Sequence, residues 1–275
     1  MSGNESSVHR KAALYIRWNM KKEIIGRSRL GREIPLFRSE RGDAVVLLVG
    51  GIHAREYVTC EVVKALAEYA GDVDCVPCLD PDGRAIVEGA DRPRIPFTGD
   101  VRQWKANAYG VDLNVNFDAG WGTGERNVTV PGSANYIGKY PESEPETRAI
   151  CDLIRRKRYP LVLSYHTLGE EVYWGFGHNY AFREEAERYA SSVGYPLKTS
   201  IGSAGGLKDW YCLHFSGLAL TVEVGKSEWG HPCPLWRKDE IISRHLPSME
   251  VVKRIGEEIV RKNDERGASA GKDSL

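Results

Sequence analysis

The sequence predicts an α/β fold in a single domain, and two observations carry that reading. Three apolar runs, Ala44 to Val49, Leu161 to Tyr165 and Leu218 to Val224, are rich in leucine and β-branched residues and too short for helices. That is the pattern of strands buried on both faces. Between and after them lie segments whose apolar residues recur every three or four positions, as in amphipathic helices. A length of 275 residues with no repeat and no linker fits one large domain better than two small ones.

Taken in order, residues 1 to 10 are polar, and a short helical pattern (Ala13, Ile16, Arg17, Met20) spans 11 to 24, so residues 1–23 read as an N-terminal extension with a short helix. Ile25-Gly26-Arg27-Ser28 and Leu30-Gly31-Arg32-Glu33-Ile34 punctuate a hairpin. The first buried strand stops at Gly50-Gly51, and Thr59, Val62, Val63, Leu66, Ala67 and Ala70 then mark a helix over 58–70. Val73 to Leu79 alternates as a strand and ends in Asp80-Pro81-Asp82-Gly83, a turn signal. Residues 84–140 are rich in Gly, Pro, Asn and Trp and lack periodicity; so long an irregular stretch inside a compact domain marks function. Helices follow at Glu142–Lys157, Phe182–Val193 and Asp209–Phe215, with a last one at Asp239–Lys262. The domain therefore spans 24–262, and residues 263–275 read as a disordered polar tail.

Lys plus Arg number 38 and Asp plus Glu number 38. This balance gives no reason to expect nucleic acid or an anionic membrane as partner. The densest basic run, Arg155-Arg156-Lys157-Arg158, fits a solvated helix end that complements the helix dipole. No stretch approaches the roughly twenty apolar residues of a membrane span, and the N-terminus lacks an apolar core of signal-peptide length, so a cytoplasmic location is expected. Six cysteines are scattered. Cys75-Val-Pro-Cys78 has no partner pair and straddles both faces of an alternating strand, which favours structural thiols over redox or metal chemistry.

The chemistry gathers at strand ends. His53 and Glu56 follow the first buried strand, His166 ends the Leu161 run, and Glu223 stands inside Leu218 to Val224. In open α/β sheets, ligands bind beyond the carboxyl ends of strands. His-x-x-Glu alone is common, and a surface histidine beside a helix-start glutamate explains it equally well; His166 alone reads as readily as a satisfied core histidine. The set of four is harder to dismiss. Two histidines and a glutamate form the three-ligand catalytic zinc set that leaves one position open. A fourth carboxylate off the metal supplies the base, and a lone glutamate in an apolar strand is costly unless it has such a role.

With these landmarks the chain resembles the zinc carboxypeptidase family of metallopeptidases over about residues 24–262. The resemblance rests on Ile25-Gly26-x-Ser28 with Gly31-Arg32, His53-Ala54-Arg55-Glu56, Pro81-Asp82-Gly83, Gly110-Val111-Asp112-x-Asn114, Ser164-Tyr165-His166, Gly205-Gly206-x-x-Asp209-Trp210 and Thr221-Val222-Glu223-Val224, in the family's order. It implies a mixed, mostly parallel sheet flanked by helices on both faces. It also implies one zinc on His53, Glu56 and His166, with Glu223 as catalytic base.

The departures narrow the reading. Val115 follows Asn114, where the family's carboxypeptidases carry the arginine that grips a terminal carboxylate; valine cannot do so. Trp104-Lys105-Ala106-Asn107 puts Lys105 where the family usually has an arginine that steadies the oxyanion. Ile201 stands where many members place a mobile tyrosine. Trp104 to Asn107, Gly110 to Asn114, Gly169-Glu170, Tyr173-Trp174, Lys208-Asp209-Trp210 and Glu223-Val224-Gly225-Lys226 resemble the branch of γ-D-glutamyl-diaminopimelate peptidases. That branch cuts bacterial cell-wall stem peptides between γ-D-Glu and the diamino acid.

The resemblance then distributes roles: Lys105 on the oxyanion, Asp112 on the second nitrogen of His53, Arg55 and Asn114 on the substrate, and Lys208 in the pocket for the side chain next to the cut. A buried lysine needs a negative partner, and the distal carboxylate of diaminopimelate is expected to supply it. The expected partner is thus a peptide, a muropeptide in particular. Two alternatives stay open: a carboxypeptidase or amide deacylase of the same fold with another carboxylate clamp, and a non-enzymatic binding module. Val115 counts against the first, the intact four residues against the second. Oligomeric state is not legible.

Overall fold

A computed structural model describes residues 20–39 and 42–270. Its strands are β1 (Lys21–Arg27), β2 (Glu33–Arg38), β3 (Val46–Val49), β4 (Asp74–Val76), β5 (Leu161–Thr167), β6 (Glu171–Trp174), β7 (Leu197–Lys198) and β8 (Leu218–Val224). They form one sheet in the order β1-β2-β4-β3-β5-β8-β6-β7. The centre, β4-β3-β5-β8, is parallel, while β1-β2, β2-β4 and β8-β6 are antiparallel. The expected mixed, mostly parallel sheet in one domain is what the chain forms.

Helices cover both faces. On one side α1 (Val58–Ala70), α4 (Arg183–Val193), α6 (Lys238–His245) and α7 (Met249–Ala270) pack a core through Val63, Leu66, Ala186, Ile241 and Ile255 against Leu48, Leu163 and Leu220. On the other side α3 (Pro145–Lys157) and α5 (Leu207–His214) bury Ile150, Leu153 and Trp210 against Leu47, Val162 and Ala219. β3 and β5 are buried along their whole length, which is why they show apolar runs rather than alternation.

Several elements differ from their sequence reading. Asp80-Pro81-Asp82-Gly83 is no turn between strands but the start of α2 (Pro81–Val87). The Asp80 side chain accepts from Gly83 N at 2.8 Å, and proline is preorganised for the first helical position, where its missing N–H is not needed. The single long C-terminal helix is two helices joined by a tight turn at Leu246–Ser248, because Pro247 cannot donate the backbone bond that a continuous helix requires. α7 then runs past residue 262 to Ala270. At the other end, residues 21–24, placed in a helical pattern, belong to β1; their antiparallel pairing with β2, Lys21 with Arg38 through Ile24 with Pro35, outweighs that weak periodicity. The expected features of residues 1–19 and 271–275 lie outside the described residues. All six cysteines are free: Cys75 packs into the α1-side core, and Cys78 is hydrogen-bonded to the Cys60 thiol. No helix among the described residues is long and apolar enough to cross a membrane.

Candidate active site

The site opens where the parallel strands end. Lower down, Val162 and Ala219 face α3 and α5; side chains alternate along a strand, so Ser164 and His166 on β5, and Thr221 and Glu223 on β8, continue that face into a cleft of about 580 Å³ bordered by Thr221 and Glu223. His53 reaches the same place from β3. After Gly50 and Gly51 the chain makes a short 3-10 turn, Ala54–Glu56, with His53 at its N-cap. Gly51 has φ +58°, and a Cβ there would lie 2.6 Å from the Cys60 Sγ, so only glycine lets β3 turn this tightly against α1.

Three buried donors converge. Glu56 Oε1 lies 2.9 Å from His53 Nδ1, Glu56 Oε2 lies 3.0 Å from His166 Nδ1, and the two Nδ1 atoms are 3.2 Å apart. The remaining nitrogen of His53, Nε2, faces Asp112 Oδ1 at 3.1 Å, and Lys105 Nζ donates to Asp112 Oδ2 at 2.6 Å. Ala54 N donates to the Lys105 carbonyl at 3.0 Å, tying the Lys105 loop to the His53 turn. Glu223 is the register partner of His166, and its carboxylate has no hydrogen-bond partner among the described residues.

These residues fit a zinc ion. With Nε2 donating to Asp112, His53 presents the lone pair of Nδ1 to that of His166, an unfavourable meeting that only a cation or a proton relieves. Two nitrogens held about 2.0–2.1 Å from one tetrahedral ion stand about 3.3 Å apart, close to the separation observed. The electrostatics point the same way. Burial alone would lower the His53 imidazole, but Glu56, with Asp112, outweighs it and raises its pKa to about 9, so the pocket favours positive charge. Burial would raise Asp112, yet Lys105 and then His53 hold it far below the usual carboxylate range. Burial, then the charge of Glu56, pushes Glu223 up to about 8 against the pull of His53 and Lys105.

The other predicted residues are placed unequally. His53, Lys105, Asp112, Asn114, Lys208 and Glu223 border the cleft, as does Val115. Arg55 lies outside its wall, with Nε buried and unpartnered among the described residues. Asn114 Oδ1 accepts from Leu207 N at 3.2 Å, which pins the start of α5. Lys208 is buried, but its ammonium donates to Asp209 Oδ1 at 2.5 Å and to the Gly175 carbonyl at 2.7 Å. Lys208 therefore takes its counter-charge from the next residue and not, as the sequence leads one to expect, from a ligand. Sequence reasoning also passed over the far wall, Glu125 to Asn127, and Asn135, whose Oδ1 accepts from Lys105 at 3.4 Å. The aperiodic 84–140 stretch was the only signal for them. Nothing signalled His231, whose Nδ1 lies 3.4 Å from Thr167 Oγ1, beside His166.

Comparison with known proteins agrees with this geometry. A family model described as zinc carboxypeptidase matches residues 17–231. The chain is 28% identical to gamma-D-glutamyl-L-diamino acid endopeptidase 1 of Lysinibacillus sphaericus over 256 residues, covering 81% of this chain and 64% of that protein. It thus spans a little under two thirds of that relative's length. Among solved structures, murein-tripeptide amidase MpaA from Escherichia coli O157 superposes with a TM-score of 0.57 at 27% identity, covering 83% of this chain and 89% of that one. Bovine thrombin-activatable fibrinolysis inhibitor, in complex with tick carboxypeptidase inhibitor, shares the fold with a TM-score of 0.72 at 22% identity, covering 88% and 91%.

Proposed function

The chain belongs to the zinc carboxypeptidase family, and from that premise we propose that it is a zinc-dependent metallopeptidase hydrolysing the γ-D-Glu–diaminopimelate amide bond of bacterial cell-wall stem peptides. The observation that carries the reading is the convergence of His53, Glu56 and His166 with Glu223 one strand away and a cleft in front. His53 Nδ1, His166 Nδ1 and the Glu56 carboxylate would hold one zinc. When bound, zinc supplies a Lewis acid for the scissile carbonyl and acidifies a water.

The rest is done by side chains of this chain. Glu223, free of protein partners, takes the proton from the attacking water and returns it to the leaving amine. Lys105 spends donors on Asp112 and Asn135; an ammonium has three, and the third meets the charge developing on the carbonyl oxygen. Asp112 fixes the His53 tautomer, which orients Nδ1 toward the metal position. Asn114, which borders the cleft, binds the peptide. Val115 borders the cleft without a charge, which argues against a grip on an ordinary terminal carboxylate. The relative named for γ-D-glutamyl-L-diamino acid cleavage and the murein-tripeptide amidase support the choice of bond.

We place the reaction in the cytoplasm, on recycled wall fragments; six free thiols suit a reducing compartment. The test is to incubate purified protein with L-Ala-γ-D-Glu-meso-diaminopimelate and identify the fragments by mass. Release of L-Ala-γ-D-Glu and free diaminopimelate is expected. Cleavage at the L-Ala bond, or an intact tripeptide, would sink the assignment.

A further inference from the structure

The charges around the cleft are paired off with three exceptions. Lys105 is matched by Asp112, Lys208 by Asp209, and Lys198 by Glu171. Glu223 is one exception and has the role given above. The other two are neighbours on the far wall. Glu125 and Arg126 both border the cleft, and among the described residues neither side chain has a hydrogen bond or ion pair. Beside them, Asn127 Nδ2 is buried without a partner, although a buried donor left unpaired is costly.

The backbone fixes this wall. Glu125 N donates to the Gly202 carbonyl at 2.9 Å, Asn127 N to the Gly124 carbonyl at 2.9 Å, and Gly205 N to the Ala119 carbonyl at 2.8 Å. The 119–127 loop is thus zipped to the 202–205 loop. Gly202 has φ +73°, and a Cβ there would stand 2.5 Å from the Glu125 carboxyl carbon. Only glycine leaves that carboxylate its place beside the wall.

We propose that Glu125 and Arg126 form a subsite for an α-amino-acid zwitterion, the group at the far end of a diaminopimelate side chain. This rests on the reaction proposed above and supplies its specificity from charges that, unlike Lys208, have no partner among the described residues. An ammonium and a carboxylate on one carbon need an anion and a cation side by side. Glu125 takes the ammonium, and Arg126 the carboxylate in a two-pronged contact. A lysine side chain at this position offers the ammonium alone, so Arg126 goes unused. Losing a charge-assisted hydrogen bond of this kind amounts to roughly ten- to a hundredfold in kcat/KM.

The test compares L-Ala-γ-D-Glu-meso-diaminopimelate with its L-lysine counterpart in wild type, Arg126→Gln and Glu125→Gln. Wild type should prefer the diaminopimelate peptide by tenfold or more. Arg126→Gln should slow that peptide ten- to a hundredfold and the lysine peptide less than twofold; Glu125→Gln should slow both. An equal loss on both peptides in Arg126→Gln, or none, overturns the subsite; an equal loss abolished by amidating the peptide C-terminus would show Arg126 reading the terminal carboxylate instead. If wild type cuts neither peptide, the assigned reaction is wrong and calorimetry decides the subsite alone. Binding of free meso-diaminopimelate weakened at least tenfold by Arg126→Gln, with L-lysine unaffected, supports it. No binding, or binding indifferent to that substitution, overturns it.

Discussion

His166 and Glu223 stand opposite each other in register across the parallel β5–β8 pair. Adjacent strands lie about 4.8 Å apart, and paired residues point to the same face. The proposed metal ligand and the proposed base are thus held at a separation set by the sheet itself rather than by loops.

The first prediction follows from that pairing. Glu223→Gln keeps shape and removes the proton acceptor, so zinc content should match wild type while kcat drops about 10²- to 10⁴-fold. Near wild-type turnover in this variant would mean that another group is the base.

A second prediction concerns the metal. Purified protein should carry one zinc per chain by elemental analysis, and His166→Ala should lose most of it. Asp112→Asn removes the charge behind His53 Nε2 and should weaken zinc affinity about ten- to a hundredfold in a chelator competition. Full zinc retention in His166→Ala would remove that residue from the centre.

The third uses His245, buried between the Tyr165 and Tyr195 rings, with Nε2 3.3 Å from the Tyr195 hydroxyl. Burial, with Arg244 adding to it, lowers its pKa from 6.5 to about 3. Unfolded, the ring gains a proton below about pH 6.5; folded, it stays neutral. Its contribution to stability is therefore complete above that pH and is lost as pH falls toward 3. Between pH 7 and pH 5 the loss is about 2 kcal/mol. His245→Gln should flatten the urea-unfolding free energy over that interval by about this amount, and an unchanged slope would refute the assignment.

Glu146 has the opposite sign. It is fully buried, with Oε1 accepting from Arg29 N at 2.8 Å and Oε2 unpartnered, and burial raises its pKa to about 7. The folded chain holds this proton where the unfolded chain has released it, so stability declines as pH rises from about 4.5 to 7. Glu146→Gln should gain on wild type by about 2–3 kcal/mol on going from pH 5 to pH 8, read from paired denaturation curves. A constant difference between the two proteins would contradict it.

The parts of the molecule that sequence makes legible are those where one strand suffices. β3 and β5 announce themselves because burial on both faces demands unbroken apolar runs, and β8 because its apolar run is broken only by Thr221 and Glu223; His53, His166 and Glu223 stand out at their ends. β6 and β7 do not: Glu171–Trp174 and Leu197–Lys198 are too short for any period, and only pairing with β8 and with each other makes them strands. The helix break at Pro247 was visible and passed over. Lys208 was read as a charge in search of a ligand because a pattern shows that a residue is buried but not which neighbour turns toward it. The far wall of the cleft is the hardest case. Glu125 and Arg126 become a wall only because a loop 75 or more residues later zips to theirs.

The carboxylate of Asp112, bonded to His53 through one oxygen and Lys105 through the other, would couple cation binding at the proposed metal site to anion binding at Lys105. An anion that docks on Lys105 draws positive charge away from Asp112. The carboxylate then holds the His53 N–H more firmly, and Nδ1 becomes a stronger donor to a cation. Linkage requires the converse in equal measure: the factor by which metal tightens an anion at Lys105 is the factor by which that anion tightens the metal. A chelator should therefore compete more successfully with the idle protein than with one that holds an anionic substrate.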